Sequence, residues 1–317
     1  MKAAFLDYAT LGPGVDTSPL DDLVDVDYYD YSPSNEISDR LHAIEVGIAN
    51  KALINADTIA ANASLKLIAL AATGSDNVDL VAAQAHGVAV ANIRNYCTPA
   101  VVQHVFALIL ALTRQISGYQ SVVSSGAWQR SNTFALFDYP IRELTGKKLG
   151  IVGYGSLGGG VAEVGRAFGM EVLIAARSGT ERSGGDSRVP LDVLLEYVDV
   201  LSLHCPLTEA TRHLIGEREL AVMKSDALLI NTARGALIDS NALVAALHQG
   251  EIGGAGIDVL AKEPPTDDEP LLASGIPNLI LTPHIAWTST ESRQRTLDQV
   301  AENVQDFING GDLRRLV

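Results

Sequence analysis

Leu149-Gly150-Ile151-Val152-Gly153-Tyr154-Gly155-Ser156-Leu157-Gly158 decides the fold. An apolar strand runs into G-x-G-x-x-G, and the residues beyond it place Val161, Val164 and Phe168 on one face of a helix. Strand, turn and helix stand in the order that a dinucleotide-binding unit needs. Gly153 suits the tight turn, Gly155 lets backbone approach a pyrophosphate, and Gly158 lets the helix lie close to the sheet. The helix N-terminus, reached through Ser156 and Leu157, offers N–H groups and a positive dipole end to phosphates. Nine of the 28 glycines fall within 146–169, where even spacing would put about two.

Working outward, apolar strands alternate with helical segments, the pattern of parallel α/β sheets. After the glycine turn, strands are expected at 172–175, 200–204, 227–231, 255–258 and 279–282. Helices are expected at 158–168, 191–197, 217–223 and 240–249, and the 262–277 connection reads as a loop. Before the turn, strands are expected at 3–6, 24–29, 44–48, 67–70 and 88–91. An amphipathic segment over 98–117 follows, with Thr98 suited to the cap and Pro99 to the first turn. The stretch 118–145 reads as irregular; its Trp128, Phe134, Phe137 and Tyr139 suit either a contact surface or a loop folded onto its own domain. A final helix over 289–308 has no strand after it and is expected to pack on the first unit.

Composition narrows the partners. The chain has 317 residues, 47% hydrophobic and 19% charged, which suits two globular domains and excludes a disordered chain or a small disulfide scaffold. No run approaches the ~18 apolar residues of a membrane span, and Asp7 interrupts the N-terminus before a signal-peptide core forms. Only Cys97 and Cys205 are present, so neither a disulfide framework nor a cysteine metal site is expected, and no metal is assigned. A cytoplasmic protein is the default. The net charge of −15 disfavours nucleic acid and anionic membrane as partners.

The end of the second strand of the glycine-turn unit bears on the dinucleotide. An NAD site usually carries Asp or Glu there for the ribose 2′-hydroxyl. Here Ala176 takes that place, followed by Arg177 and Ser178, a guanidinium and a hydroxyl suited to a 2′-phosphate. NADP is favoured; the alternative is an NAD site lacking its acid, with Arg177 solvated.

Three polar residues stand beyond the carboxyl ends of expected strands, the edge where open parallel sheets bind ligands. Arg234 lies in Asn231-Thr232-Ala233-Arg234-Gly235, Glu263 in Asp258-Val259-Leu260-Ala261-Lys262-Glu263-Pro264-Pro265, and His284 in Thr282-Pro283-His284-Ile285-Ala286-Trp287. Their chemistry fits hydride transfer to a 2-keto acid. Imidazole can donate the proton for the new hydroxyl, a carboxylate beside it favours the protonated ring and fixes its orientation, and arginine can fork onto the substrate carboxylate and carbonyl.

These segments resemble the D-isomer-specific 2-hydroxyacid dehydrogenases over nearly the whole chain: 153–158, 231–239, 256–265 and 283–287, with supporting stretches at Asn50-Lys51, 71–79 and 103–108. The likeness is greatest to the bacterial glycerate dehydrogenase or hydroxypyruvate reductase branch. The resemblance implies two doubly wound parallel-sheet domains, with a Rossmann cofactor domain (98–287) inserted into a flavodoxin-like substrate domain (1–97 and 288–317). It implies that His284 is the acid/base, Glu263 its partner and Arg234 the substrate-orienting residue. Thr73 and Gly74 would offer backbone N–H groups to the substrate carboxylate, with Lys51 nearby. Cofactor contacts would extend from the glycine turn to Cys205, Pro206, Thr232, Ala233, Arg234, Asp258 and His284. The implied reaction is reversible reduction of hydroxypyruvate or glyoxylate to D-glycerate or glycolate by a homodimer.

Two other readings remain. Dinucleotide-sensing corepressors of this fold carry extra interaction segments, which the chain does not show. Longer phosphoglycerate dehydrogenases carry an added regulatory domain, which is not expected here. Formate dehydrogenase pairs its histidine with glutamine, unlike Glu263.

Overall fold

The computed structural model describes residues 1–176 and 188–317. Strand-forming runs of three to five residues assemble into two sheets whose strands pair in parallel, and an isolated antiparallel bridge joins Ala91 to Arg315. The chain divides into two units, Met1–Cys97 with Trp287–Val317, and Thr98–Ala286. Trp287, which the resemblance assigns to the cofactor domain, falls in the first unit, where its ring meets Tyr96 edge-on at 6.2 Å.

The first unit carries β1 (Lys2–Phe5), β2 (Asp25–Tyr28), β3 (Val46–Ala49), β4 (Leu67–Leu70) and β5 (Ala89–Ala91), ordered β2-β1-β3-β4-β5. β3, β4 and β5 are buried at every residue, as expected where helices cover both faces of a parallel sheet. Asn55 and Asp79 cap the helices Ala56–Ala61 and Leu80–Ala85, their side chains accepting from Thr58 N and Ala82 N. The helix Thr290–Ile308 sets Leu297, Val300, Ala301 and Val304 into the core with Phe5, Ile48 and Leu67, one apolar stripe at helical spacing.

The second unit carries β6 (Lys148–Val152), β7 (Glu171–Ile174), β8 (Val200–Leu203), β9 (Leu228–Asn231), β10 (Gly254–Ile257) and β11 (Leu279–Leu281), ordered β11-β10-β9-β8-β6-β7. In both sheets the chain steps one way from its first strand and then returns to the other side. That switch point, between β1 and β3 and again between β6 and β8, opens a crevice at the carboxyl ends of the strands.

One expectation needs correction. The segment 98–117 is not one helix and 118–145 is not irregular throughout. Gln115 adopts φ +52 and ends the helix Thr98–Arg114, and a second helix, Ile116–Ser124, follows at a 55° bend. Gly118 and the serines of this segment are poor helix formers. Tertiary contact overrides them: Tyr119 packs edge-on against Tyr139 at 5.4 Å and donates to the Tyr139 carbonyl at 2.9 Å. Among the described residues no single helix is long and apolar enough to cross a membrane.

Candidate active site

The glycine turn lies at the switch point. Gly153 follows β6 with φ +94, and a Cβ there would sit 2.5 Å from the Cys205 nitrogen, just past β8. Only glycine permits both the dihedral and the approach. A Cβ at Gly158 would fall 2.1 Å from the Gly153 carbonyl oxygen, which is how closely the helix Ser156–Ala167 enters under the turn. By contrast, a Cβ at Gly155 would meet nothing within 4 Å. The same glycine begins the helix with no side-chain cap, leaving its first N–H groups directed at open space. Two buried polar atoms at this edge, Thr232 Oγ1 and His204 Nδ1, have no hydrogen-bond partner. Open space over Gly155, an uncapped helix and orphaned polar atoms fit a dinucleotide. Ala176, after β7, donates its N–H to the Val189 carbonyl at 2.7 Å and offers no acid to a ribose. Arg177 and Ser178 lie outside the described residues.

Arg234, Glu263 and His284 follow β9, β10 and β11, three neighbouring strands. Asn231, fully buried at the end of β9, builds the first turn: its Oδ1 accepts from Ala233 N at 3.0 Å and its Nδ2 donates to the Arg234 carbonyl at 2.9 Å. Arg234 stays exposed, with Nη1 donating to the Ala233 carbonyl at 2.8 Å. The next residue must be glycine, because a Cβ at Gly235 would lie 1.9 Å from the Leu260 carbonyl carbon. This backbone contact sets the Arg234 turn against the turn that bears Glu263.

Glu263 is held at both oxygens. Oε1 accepts from Leu260 N at 2.8 Å, and Oε2 lies 2.5 Å from His284 Nδ1. An ionised carboxylate only accepts, so Nδ1 carries the proton of this contact and Nε2 is left to exchange a proton with a substrate. Side-chain exposures of 30% for His284 and 33% for Glu263 keep the pair accessible. His284 has φ +56, a conformation that a non-glycine residue holds only when its surroundings impose it. Asp258 imposes it. Buried past β10, it accepts from Thr282 Oγ1 at 2.5 Å, Ile285 N at 2.9 Å and Ala286 N at 2.9 Å. Its carbonyl takes the His284 N–H at 2.8 Å.

The substrate-side residues of the resemblance lie in the first unit. Lys51 follows β3, and Thr73 and Gly74 follow β4. Asp7, 4% exposed, pins the first of these loops, its carboxylate accepting from Asn50 N at 2.9 Å, Lys51 N at 2.5 Å and Ala52 N at 2.8 Å. Asn92 Nδ2 donates to the Thr73 carbonyl at 2.8 Å, and Thr73 Oγ1 donates to the Ile93 carbonyl at 2.9 Å.

Asp7, Asn92 and His204 escaped the reading of the sequence. Asp7 and Asn92 support loops without themselves carrying a reactive pattern, and His204 stands just past β8 with Nδ1 unpartnered. The signal for Asp7 was present: a carboxylate directly after an apolar strand is either exposed or collecting loop N–H groups. His204 is pushed down to about 4 by burial, and its Nε2 meets Ser202 Oγ at 2.8 Å.

Residues 106–286 match the family model described as D-isomer specific 2-hydroxyacid dehydrogenase, NAD binding domain. Glycerate dehydrogenase of Methylorubrum extorquens is 47% identical over 275 residues, covering 87% of this chain and 86% of that protein. Hydroxypyruvate reductase of Blautia hydrogenotrophica is 34% identical over 316 residues, 98% of each chain. Among solved structures, an acyclic imino acid reductase (Bsp5) in complex with NADPH and D-Arg superimposes with a TM-score of 0.87 at 28% identity, covering both chains fully. On its motifs, its fold and these likenesses, the chain belongs to the D-isomer-specific 2-hydroxyacid dehydrogenases.

Proposed function

We propose that this enzyme reduces a short 2-keto acid, hydroxypyruvate or glyoxylate, to D-glycerate or glycolate, reversibly and with NADPH preferred over NADH. The observation that carries the reading is the 2.5 Å pair between His284 Nδ1 and Glu263 Oε2, at the sheet edge that also bears Arg234.

The nicotinamide supplies the hydride when bound. Gly153, Gly155, Ser156, Leu157 and Gly158 would hold the pyrophosphate of the dinucleotide, and Cys205, Pro206, Thr232, Ala233 and Asp258 would line the rest of it. Arg177 and Ser178, outside the described residues, would receive a 2′-phosphate. Arg234, in the second unit, orients the substrate carboxylate and carbonyl through its fork; the Thr73 and Gly74 N–H groups and Lys51 are the groups the first unit offers to a carboxylate. His284 gives its Nε2 proton to the carbonyl oxygen, and Glu263 stabilises the imidazolium before transfer. In the reverse direction the neutral ring takes the hydroxyl proton.

The second unit thus serves as the cofactor domain and the first as the substrate domain of a cytoplasmic enzyme. A second copy of the chain covers Phe134 and Phe137, which are 93% and 88% exposed, a degree of aromatic exposure that marks contact surfaces. Steady-state assay of the purified protein with a panel of 2-keto acids, each with NADH and NADPH, tests the reading. Hydroxypyruvate and glyoxylate are expected to give the highest kcat/KM, and NADPH to exceed NADH. A tenfold preference for NADH would place Arg177 in solvent and leave the cofactor assignment at NAD.

A further inference from the structure

We infer that His104 is a positioning residue for His284, acting through Thr282 and Asp258; the inference rests on the proposed role of His284 as proton donor. The helix Thr98–Arg114 lies directly on β10, where a Cβ at Gly256 would be 2.9 Å from Leu108 Cβ. Four residues back from Leu108, a rise of about 6 Å, is His104. Two residues forward from Gly256, about 6.6 Å, is Asp258. The two rises nearly match, so the contact at glycine brings the imidazole to the carboxylate.

His104 Nε2 is 3.1 Å from Thr282 Oγ1 and 3.5 Å from Asp258 Oδ1. Thr282 has one hydroxyl proton, and its 2.5 Å contact with Asp258 Oδ1 takes it. Thr282 therefore only accepts from His104, and the proton of that imidazole sits on Nε2. The chain of donors runs one way: His104 to Thr282, Thr282 to Asp258. Asp258 in turn receives the Ile285 and Ala286 N–H groups that follow His284. Every link holds the 282–286 turn in the shape that gives His284 φ +56. His104 itself is not a catalytic residue, since it reaches His284 only through this turn.

The test uses the full-length protein with hydroxypyruvate and NADH. His104→Phe keeps ring volume and removes the donor. His104→Gln can return an N–H to the same place. The account expects kcat to fall about tenfold in His104→Phe, the cost of a small misplacement of the acid, while KM for NADH stays within about twofold. His104→Gln is expected to recover most of the loss. In a Thr282→Val background, His104→Phe is expected to add nothing further, because the relay is already cut. If His104→Phe does not fold, Thr282→Val reads the next link with the same expectation for kcat and KM. Wild-type kcat in His104→Phe would overturn the inference, as would losses that add fully to those of Thr282→Val. His284→Ala separates the two layers: if it keeps wild-type kcat the proposed reading fails, and if only it loses kcat the positioning role fails.

Discussion

The two units solve one mechanical problem with the same device. In the first, Asp7 stands just past β1 and collects three N–H groups from the loop after the neighbouring strand β3. In the second, Asp258 stands just past β10 and collects two N–H groups and a hydroxyl from the loop after the neighbouring strand β11. Each carboxylate is buried, and hydrogen bonds from its own loop offset the desolvation. The difference lies in what the loop carries. The Asp7 loop presents Lys51, proposed as a charge that needs only to be near the substrate anion. The Asp258 loop presents His284, the proposed proton donor, whose angle and distance would set the rate. The second loop accordingly has extra fixings: a left-handed residue, the Glu263 contact and His104. A binding loop tolerates looseness that a loop carrying an acid/base does not.

The largest effect expected is on the acid itself. His284→Ala should lower kcat for keto-acid reduction by ~10²–10⁴, the range of a general acid, with KM for the cofactor little changed. Arg234→Lys comes next. It keeps charge but loses the planar fork, so a higher KM for the keto acid and a lower kcat are expected together. Normal kinetics would move the carboxylate contact to Lys51.

The comparison itself is sharpened by one substitution made twice. Asp258→Asn should act chiefly on kcat, and Asp7→Asn chiefly on KM for the keto acid, each by about tenfold. If Asp7→Asn lowers kcat and leaves KM alone, the division between a binding loop and a chemistry loop is wrong.

The smallest expectation concerns stability at low pH. Burial holds His204 at about 4, while in the unfolded chain it binds a proton near 6.5. The unfolded state therefore holds more protons between these values. Stability is full above pH 6.5 and is lost as the pH falls toward 4, by about 3 kcal/mol from this residue. Urea denaturation at pH 7 and pH 4.5 should show a smaller pH dependence in His204→Gln, and an unchanged dependence would contradict the burial.

The glycine turn and the three charged residues were legible in the sequence because each departs from what a bare scaffold needs. Of the six glycines in 153–165, Gly153, Gly158, Gly160 and Gly165 could be given a packing or dihedral reason only after the helix and sheet were in place. Arg234, Glu263 and His284 stood at strand ends where an apolar core has no use for them. The supports were less legible. Asp7, Asn92 and His104 act through residues distant in sequence, and no local spacing reports that Asp7 faces Lys51 or that His104 faces Thr282. The helix Ile116–Ser124 was missed for a related reason: its glycine and serines argue against a helix, and the tyrosine contact that stabilises it comes from twenty residues later.

In the proposed reaction the nicotinamide gives a hydride to one face of the keto carbon and His284 gives a proton to the carbonyl oxygen. The most direct measurement is the configuration of the product formed from hydroxypyruvate by the wild-type enzyme with NADPH or NADH, resolved on a chiral column. D-glycerate is expected, formed in step with cofactor oxidation and lost in His284→Ala. Formation of L-glycerate, or D-glycerate made at an undiminished rate by His284→Ala, would contradict it.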